Sequence, residues 1–199
     1  MILNLKKIPI YCLTIGRHKH AFGVGMFALG LDFQFVEGVR DENTLMGCAK
    51  SHLEFLRSTE PPFLLMEEDC RPLKWSEKSQ YEFKIPDGAD AFYLGLSMFG
   101  ADGQYGSSKH VFENDEIIRV LSMAQSHAIV YLTDAYRIAV IGWLERFIAD
   151  GCKTPDMMMA GRQHEFGVYA PRESIFYQSG RYQSATAIRF VRGRQNGKN

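Results

Sequence analysis

Four consecutive apolar residues, Phe63-Leu64-Leu65-Met66, run without a break into Glu67-Glu68-Asp69. Successive side chains of a strand point to opposite faces of its sheet. A run that is apolar at every position must therefore be covered on both faces, as in sheets flanked by helices. Ala91 to Leu96 reads the same way, and Ile8 to Ile15 reads as a buried strand that ends in Gly16 and the cluster Arg17-His18-Lys19-His20. A helix-like stretch follows to about Leu29, with Gly30 placed to stop it. Phe33 to Val36 forms a short strand. Asn43 or Thr44 caps a helix over Leu45–Arg57 that carries Leu45, Cys48, Ala49, His52, Leu53 and Leu56 on one side. The order strand, helix, strand, helix, strand predicts an α/β fold with a mainly parallel central sheet.

Beyond it, Phe99 to His110 is rich in Gly and Ser and reads as a long loop. Ile117 to Val120 and His127 to Leu132 read as strands. Thr133 or Asp134 caps a helix to Asp150, with Ile138, Ile141, Leu144, Phe147 and Ile148 expected inward and Gly151 as its stop. The chain of 199 residues leaves room for one domain, placed at 1–192, with a frayed tail over 193–199. Lys plus Arg and Asp plus Glu each total 23, so no overall charge draws the chain to nucleic acid or anionic membrane. No secretory leader and no apolar stretch of spanning length is visible, which points to a cytoplasmic protein without a transmembrane segment. Cys12, Cys48, Cys70 and Cys152 are scattered and read as free thiols. Cys48 and His52 share a helical spacing suited to metal, but no second Cys/His pair completes a tetrahedral zinc set.

The chemistry gathers at Glu67-Glu68-Asp69. Three carboxylates just past an apolar strand are costly unless something neutralises them, and open α/β sheets bind ligands beyond the carboxyl ends of their strands. Magnesium and manganese bridge such carboxylates to substrate phosphates. An acidic loop or a helix N-terminus accounts for the same residues. Gly23-Val24-Gly25-Met26-Phe27-Ala28 fits a loose dinucleotide pattern, yet it lies several residues past the turn where the first glycine belongs.

Gly47-Cys48-Ala49-Lys50-Ser51-His52, followed by Phe63-Leu64-Leu65-Met66-Glu67-Glu68-Asp69, resembles the family 25 glycosyltransferases of lipopolysaccharide biosynthesis and collagen galactosylation. Weaker echoes follow in order at Leu29–Gly38, Ser126–Tyr131, Pro155-Asp156 and Phe176-Tyr177-Gln178. Two departures stand out: Glu68 replaces the family's middle aspartate, and Arg17-His18-Lys19-His20 replaces its arginine-rich turn. The C-terminal family element survives only as Ser184 to Ile188.

The resemblance implies a GT-A-like nucleotide-binding sandwich and a metal-dependent inverting transfer of sugar from a nucleotide-sugar, a UDP-sugar by preference, to an acceptor hydroxyl. It implies Mn²⁺ or Mg²⁺ on Glu68 and Asp69, and Asp156 as base or metal ligand, with Glu165 and His164 in reserve. Arg17, Ser51, His52, Glu67, Glu68 and Gln178 would then contact the donor. Ser51 and His52 equally suit helix packing, and Gln178 equally suits a buried amide bonded to backbone. His127 reads as a core histidine, Met157-Met158-Met159 as soft packing, and Trp75 and Tyr105 as stacking or surface aromatics. The expected acceptor is a glycan or glycolipid. Arg181, Arg189, Arg192, Arg194 and Lys198 would meet its phosphates, or those of nucleic acid. The alternatives are the same chemistry on a DNA base, and a non-catalytic protein that binds nucleotide-sugar or glycan.

Overall fold

The structure, a computed structural model, describes residues 1–73, 81–151 and 154–179. Trp75, Cys152, the arginine-rich stretch, residues 184–188, the 193–199 tail and the boundary at 192 lie outside the described residues.

The chain opens with β1 (Ile2–Asn4), β2 (Ile10–Thr14), α1 (Lys19–Ala28), β3 (Gln34–Glu37), α2 (Thr44–Ser58), β4 (Phe63–Glu67) and β5 (Cys70–Pro72). Then come β6 (Glu82–Lys84), β7 (Ala91–Tyr93), β8 (Lys109–Phe112), β9 (Ile117–Ser122) and β10 (Ala128–Tyr131). The order closes with α3 (Asp134–Asp150), α4 (Pro155–Ala160), β11 (Val168–Pro171) and β12 (Phe176–Gln178). An eight-stranded sheet runs in the order β3-β2-β4-β10-β7-β11-β9-β8. The α/β class is thus as expected. The sheet itself is mixed: β3, β2 and β4 are parallel, as are β7 and β11, whereas β10 runs antiparallel between β4 and β7. An apolar run such as Ala128–Tyr131 fits a covered strand of either direction, so its sequence does not specify which.

The doubly apolar strands do divide their side chains between two cores. Phe63, Leu65, Ile129, Tyr131 and Tyr93 face the layer that contains α2 and α3. Leu64, Met66, Ala128, Val130 and Phe92 face the layer that contains α1 and the paired β1 and β6. Asn43 caps α2 by accepting from the amides of Leu45 and Met46 at 3.1 and 3.3 Å. Thr133 caps α3, and Gly151 ends it at φ 62°, a left-handed conformation glycine adopts without strain. The buried stripe of α3 is Tyr136, Val140, Leu144 and Phe147. Ile138, expected inward, is exposed.

This topology prepares a site. From β2 the chain crosses to α1 on one face, and from β3 it crosses to α2 on the other. The loops leaving two adjacent parallel strands therefore part in opposite directions, which opens a crevice beyond the strand ends.

Candidate functional site

The crevice has a volume of about 410 Å³ and opens between the loop after β2, the loop after β3 and the first turns of α2, with Glu67, Glu68 and Asp69 on its floor. The three acidic residues, adjacent in sequence, have three different surroundings.

Glu68 is 7% exposed and turns back onto the loop after β2. One carboxylate oxygen accepts from the amides of Ile15 and Arg17 at 3.1 and 3.2 Å. The other accepts from the Thr14 hydroxyl and, at 3.1 Å, from the His18 amide. Successive amides converging on one anion form a nest, and Glu68 fills it. Burial opposes the charged form, but the Thr14 hydroxyl and the amides of His18, Ile15 and Arg17 outweigh it and hold the carboxyl below its usual range. Thr14 also accepts from the Gly16 amide at 2.9 Å, at a turn where Gly16 takes φ 93°.

Glu67 points toward α2. Its Oε1 lies 3.2 Å from His52 Nε2 and 4.0 Å from Cys48 Sγ, and accepts from Ser126 Oγ at 2.7 Å. Its Oε2 accepts from Gln178 Nε2 at 3.3 Å. Burial raises its pKa, but the hydrogen bond and charge of His52, with Ser126 and His127, overcome this and bring it to about 2. Asp69 accepts from Gln178 Nε2 at 3.0 Å, and its carbonyl takes the Ser179 amide at 2.9 Å. Gln178 thereby ties Glu67 to Asp69, a role that pairing of β12 with β5 places it to fill.

The rim is cationic. Arg17 and His18 come from the loop after β2, and Arg40 comes from the loop after β3 and donates to the Ile15 carbonyl. Among the described residues neither Arg17 nor Arg40 forms an ion pair with a side chain. Ser51 lines the crevice with its hydroxyl committed, since it accepts from the Val39 amide at 2.8 Å and donates to the Gly47 carbonyl at 2.7 Å. Gly47 allows this contact: a Cβ there would stand 3.0 Å from the Val39 carbonyl oxygen and 3.2 Å from Asp41 Cβ.

Arg17, Ser51, His52, Glu67, Glu68 and Asp69 are thus brought together, and Gln178 joins them by its hydrogen bonds. Asp156 is not on the crevice. It bonds Thr154 and the Met157 amide and lines a second cavity of about 380 Å³. Glu165 pairs with Arg162 at 2.6 Å, and neither it nor His164 lines either cavity. The expected manganese or magnesium pair of Glu68 and Asp69 fails at Glu68, both of whose oxygens are taken by its own loop, while Asp69 gives Oδ2 to the Gln178 amide. The atoms that do gather are those of Cys48, His52 and Glu67, within 4.8 Å of one another, so Glu67 supplies the third member that the Cys48/His52 spacing lacked. Sequence reasoning passed over Arg40. It follows a parallel strand just as Glu68 does, and the same rule applied to β3 finds it.

No known family model matches the sequence, and no curated protein does. Solved structures that share part of the fold include the following three. One is the CTP:phosphocholine cytidylyltransferase LicC of Streptococcus pneumoniae, at 12% identity and TM-score 0.46, over 87% of this chain and 74% of that one. Another is A197 from STIV, at 12% identity and TM-score 0.45, over 92% and 85%. The inositol-1-phosphate CTP transferase of T. maritima follows at 14% identity and TM-score 0.37, over 82% and 64%. The expected activity is corrected here. The two neighbours named for an activity are CTP transferases, not glycosyltransferases, and the metal pair on which sugar transfer was to depend is not assembled. Metal-dependent transfer of sugar to a glycan, its DNA-base version and the non-catalytic nucleotide-sugar binder are not carried forward. Among the described residues, no helix is long and apolar enough to cross a membrane.

Proposed function

We propose that the crevice binds the phosphates of a nucleotide, and that the chain is a nucleotide-dependent transferase. The observation that carries this reading is the placement of Arg17 and Arg40. They reach the crevice from two loops that part to opposite faces of the sheet, at the strand ends where open α/β sheets hold ligands. Guanidinium groups bind phosphate oxygens through charge-assisted and often bidentate hydrogen bonds. The N-terminal turns of α2, through Thr44, Gly47 and Cys48, lie on the same crevice and add the positive end of a helix dipole. Glu68, which would otherwise repel an anion, has its charge met by four donors within the protein.

Support for transfer comes from the second cavity, which is linked to the crevice by hydrogen bonds to the Glu67 carboxylate. Ser126 and Gln178 line that cavity, and both bond Glu67. A nucleotide site and a second cavity linked through one ordered carboxylate provide for two substrates. The resemblance of residues 47 to 69 to a known family is kept as a proposed kinship of this nucleotide half alone.

A ligand that binds only the folded state raises its stability. Nucleoside di- and triphosphates should therefore raise the melting temperature in proportion to the logarithm of their concentration, and the parent nucleosides should do so far less. Equal shifts with nucleoside and nucleotide, or none with either, would contradict the reading.

A further inference from the structure

The second cavity holds a buried polar group that nothing among the described residues satisfies. Gln125 is 3% exposed and lines the cavity, and neither its amide oxygen nor its amide nitrogen has a hydrogen-bond partner. Buried amides are almost always paired, and an exception calls for a partner from outside the chain. Gln125 and His127 are packed close over the backbone of Gly95. Gly95 has no Cβ, and one placed there would stand 2.2 Å from His127 Nε2 and 3.0 Å from Gln125 Nε2. Any larger residue at position 95 would drive Gln125 and His127 from their places.

The walls restrict what can enter. Phe99, Ala124 and Met157 supply apolar surface, while Asp156 and Gln178 add polar groups. Among the described residues lining the cavity there is no Lys or Arg, and the charge of His127, which acts on Glu67, is set against the carboxylate of Asp156, so the lining has no excess positive charge to draw an anion. A volume of about 380 Å³ holds roughly a dozen water volumes, which leaves room for a six-membered ring with its substituents. An amide presents one acceptor and a pair of donors, and a hydroxyl both donates and accepts. We infer that this cavity receives a small uncharged polyol, whose hydroxyls complete Gln125 and whose C–H surface lies on Phe99 and Met157, as the second substrate of the transferase. The assignment rests on the reading of the first crevice as the nucleotide site.

The side-chain NH₂ of Gln125 is a direct reporter. In ¹H–¹⁵N spectra of the labelled protein it is identified as the pair of signals missing from Gln125→Leu. Titration with myo-inositol, glycerol and a methyl glucoside should shift that pair for at least one of them, while inositol 1-phosphate should leave it in place. Gln125→Leu should weaken polyol binding at least tenfold and leave the thermal shift with nucleotide unchanged. Should that variant not fold, Gln125→Met, unbranched and of similar length, reads the same loss. Unmoved Gln125 signals with all three neutral compounds, or polyol affinity retained in the variant, would overturn the assignment. If nucleotide binding persists in that case, only this inference fails. If nucleotide binding is absent from the parent protein, the reading of the first crevice fails instead.

Discussion

Replacing Glu68 by Asp tests how the crevice is built. The substitution installs the residue of the family that the motif resembles, and the sequence alone leaves open whether function then holds or falls. In the structure the longer side chain reaches four donors: the Thr14 hydroxyl and the amides of Ile15, Arg17 and His18. Removing one methylene draws the carboxylate back by roughly one carbon–carbon bond, about 1.5 Å. Amide bonds now at 3.1 to 3.2 Å would then exceed hydrogen-bonding distance. A hydrogen bond to a charged group contributes about 1.5–3 kcal/mol, and the loop can move to recover part of it. The expected net loss is about 3 kcal/mol, large for a one-carbon change. Urea unfolding should show it as a lower midpoint at unchanged slope. Arg17 and His18 sit on the loop that Glu68 holds, so nucleotide affinity should fall about tenfold as well. A Glu68→Asp protein within about 0.5 kcal/mol of the parent, a range typical of surface substitutions, would refute the view that this residue anchors the loop.

Thr14→Val removes a donor to Glu68 and the acceptor of the Gly16 amide, and should cost about 1–3 kcal/mol. In a double-mutant cycle by chemical denaturation it should be strongly non-additive with Glu68→Asp, and simple additivity would count against a shared nest. The folded pKa of Glu67, about 2, lies below its ordinary value of 4.5. The stabilisation this gives is therefore present above about pH 4.5 and lost as pH falls toward 2. Glu67→Gln should be less stable at pH 7 and show a flatter decline of stability below pH 4.5, and an acid profile parallel to that of the parent would exclude this role. Gly151→Ala, at φ 62°, should cost about 1 kcal/mol in thermal unfolding, and a neutral result would mean that α3 can end differently.

Most of the layer structure was legible because it depends on local pattern. The apolar run at Phe63–Met66, the cap at Asn43 and the stop at Gly151 each carry their physical reason within a few residues. What was not legible depends on distant partners. Glu67, Glu68 and Asp69 look equivalent in sequence, yet Glu67 meets His52 and Ser126 while Glu68 meets a loop some fifty positions earlier. Neighbouring residues leaving a strand point to opposite sides, but the sequence does not say what waits on each side. Asp156 was picked because Pro155-Asp156 echoes the family motif, and α4 carries it to the second cavity. The inward face of α3 was misjudged at Ile138 because its aliphatic residues surround the helix, and the stripe that packs is set by Tyr136 and Val140. Val168–Pro171 escaped notice because a proline in a short apolar run argues against a central strand. Pro171 is its last residue, however, and β11 pairs on both sides, with β7 and β9.

The central claim is that Arg17 and Arg40 hold nucleotide phosphates between the loops after β2 and β3. Calorimetric titration of nucleoside diphosphates into the parent protein, Arg17→Ala, Arg40→Ala and the double variant tests it directly. Each single change should weaken binding about tenfold, equivalent to about 1.4 kcal/mol. The double change should weaken it further, and added salt should shrink the difference, as expected of exposed charges. Affinity that is the same in all four proteins, or no binding of any nucleoside diphosphate to the parent, would contradict the account.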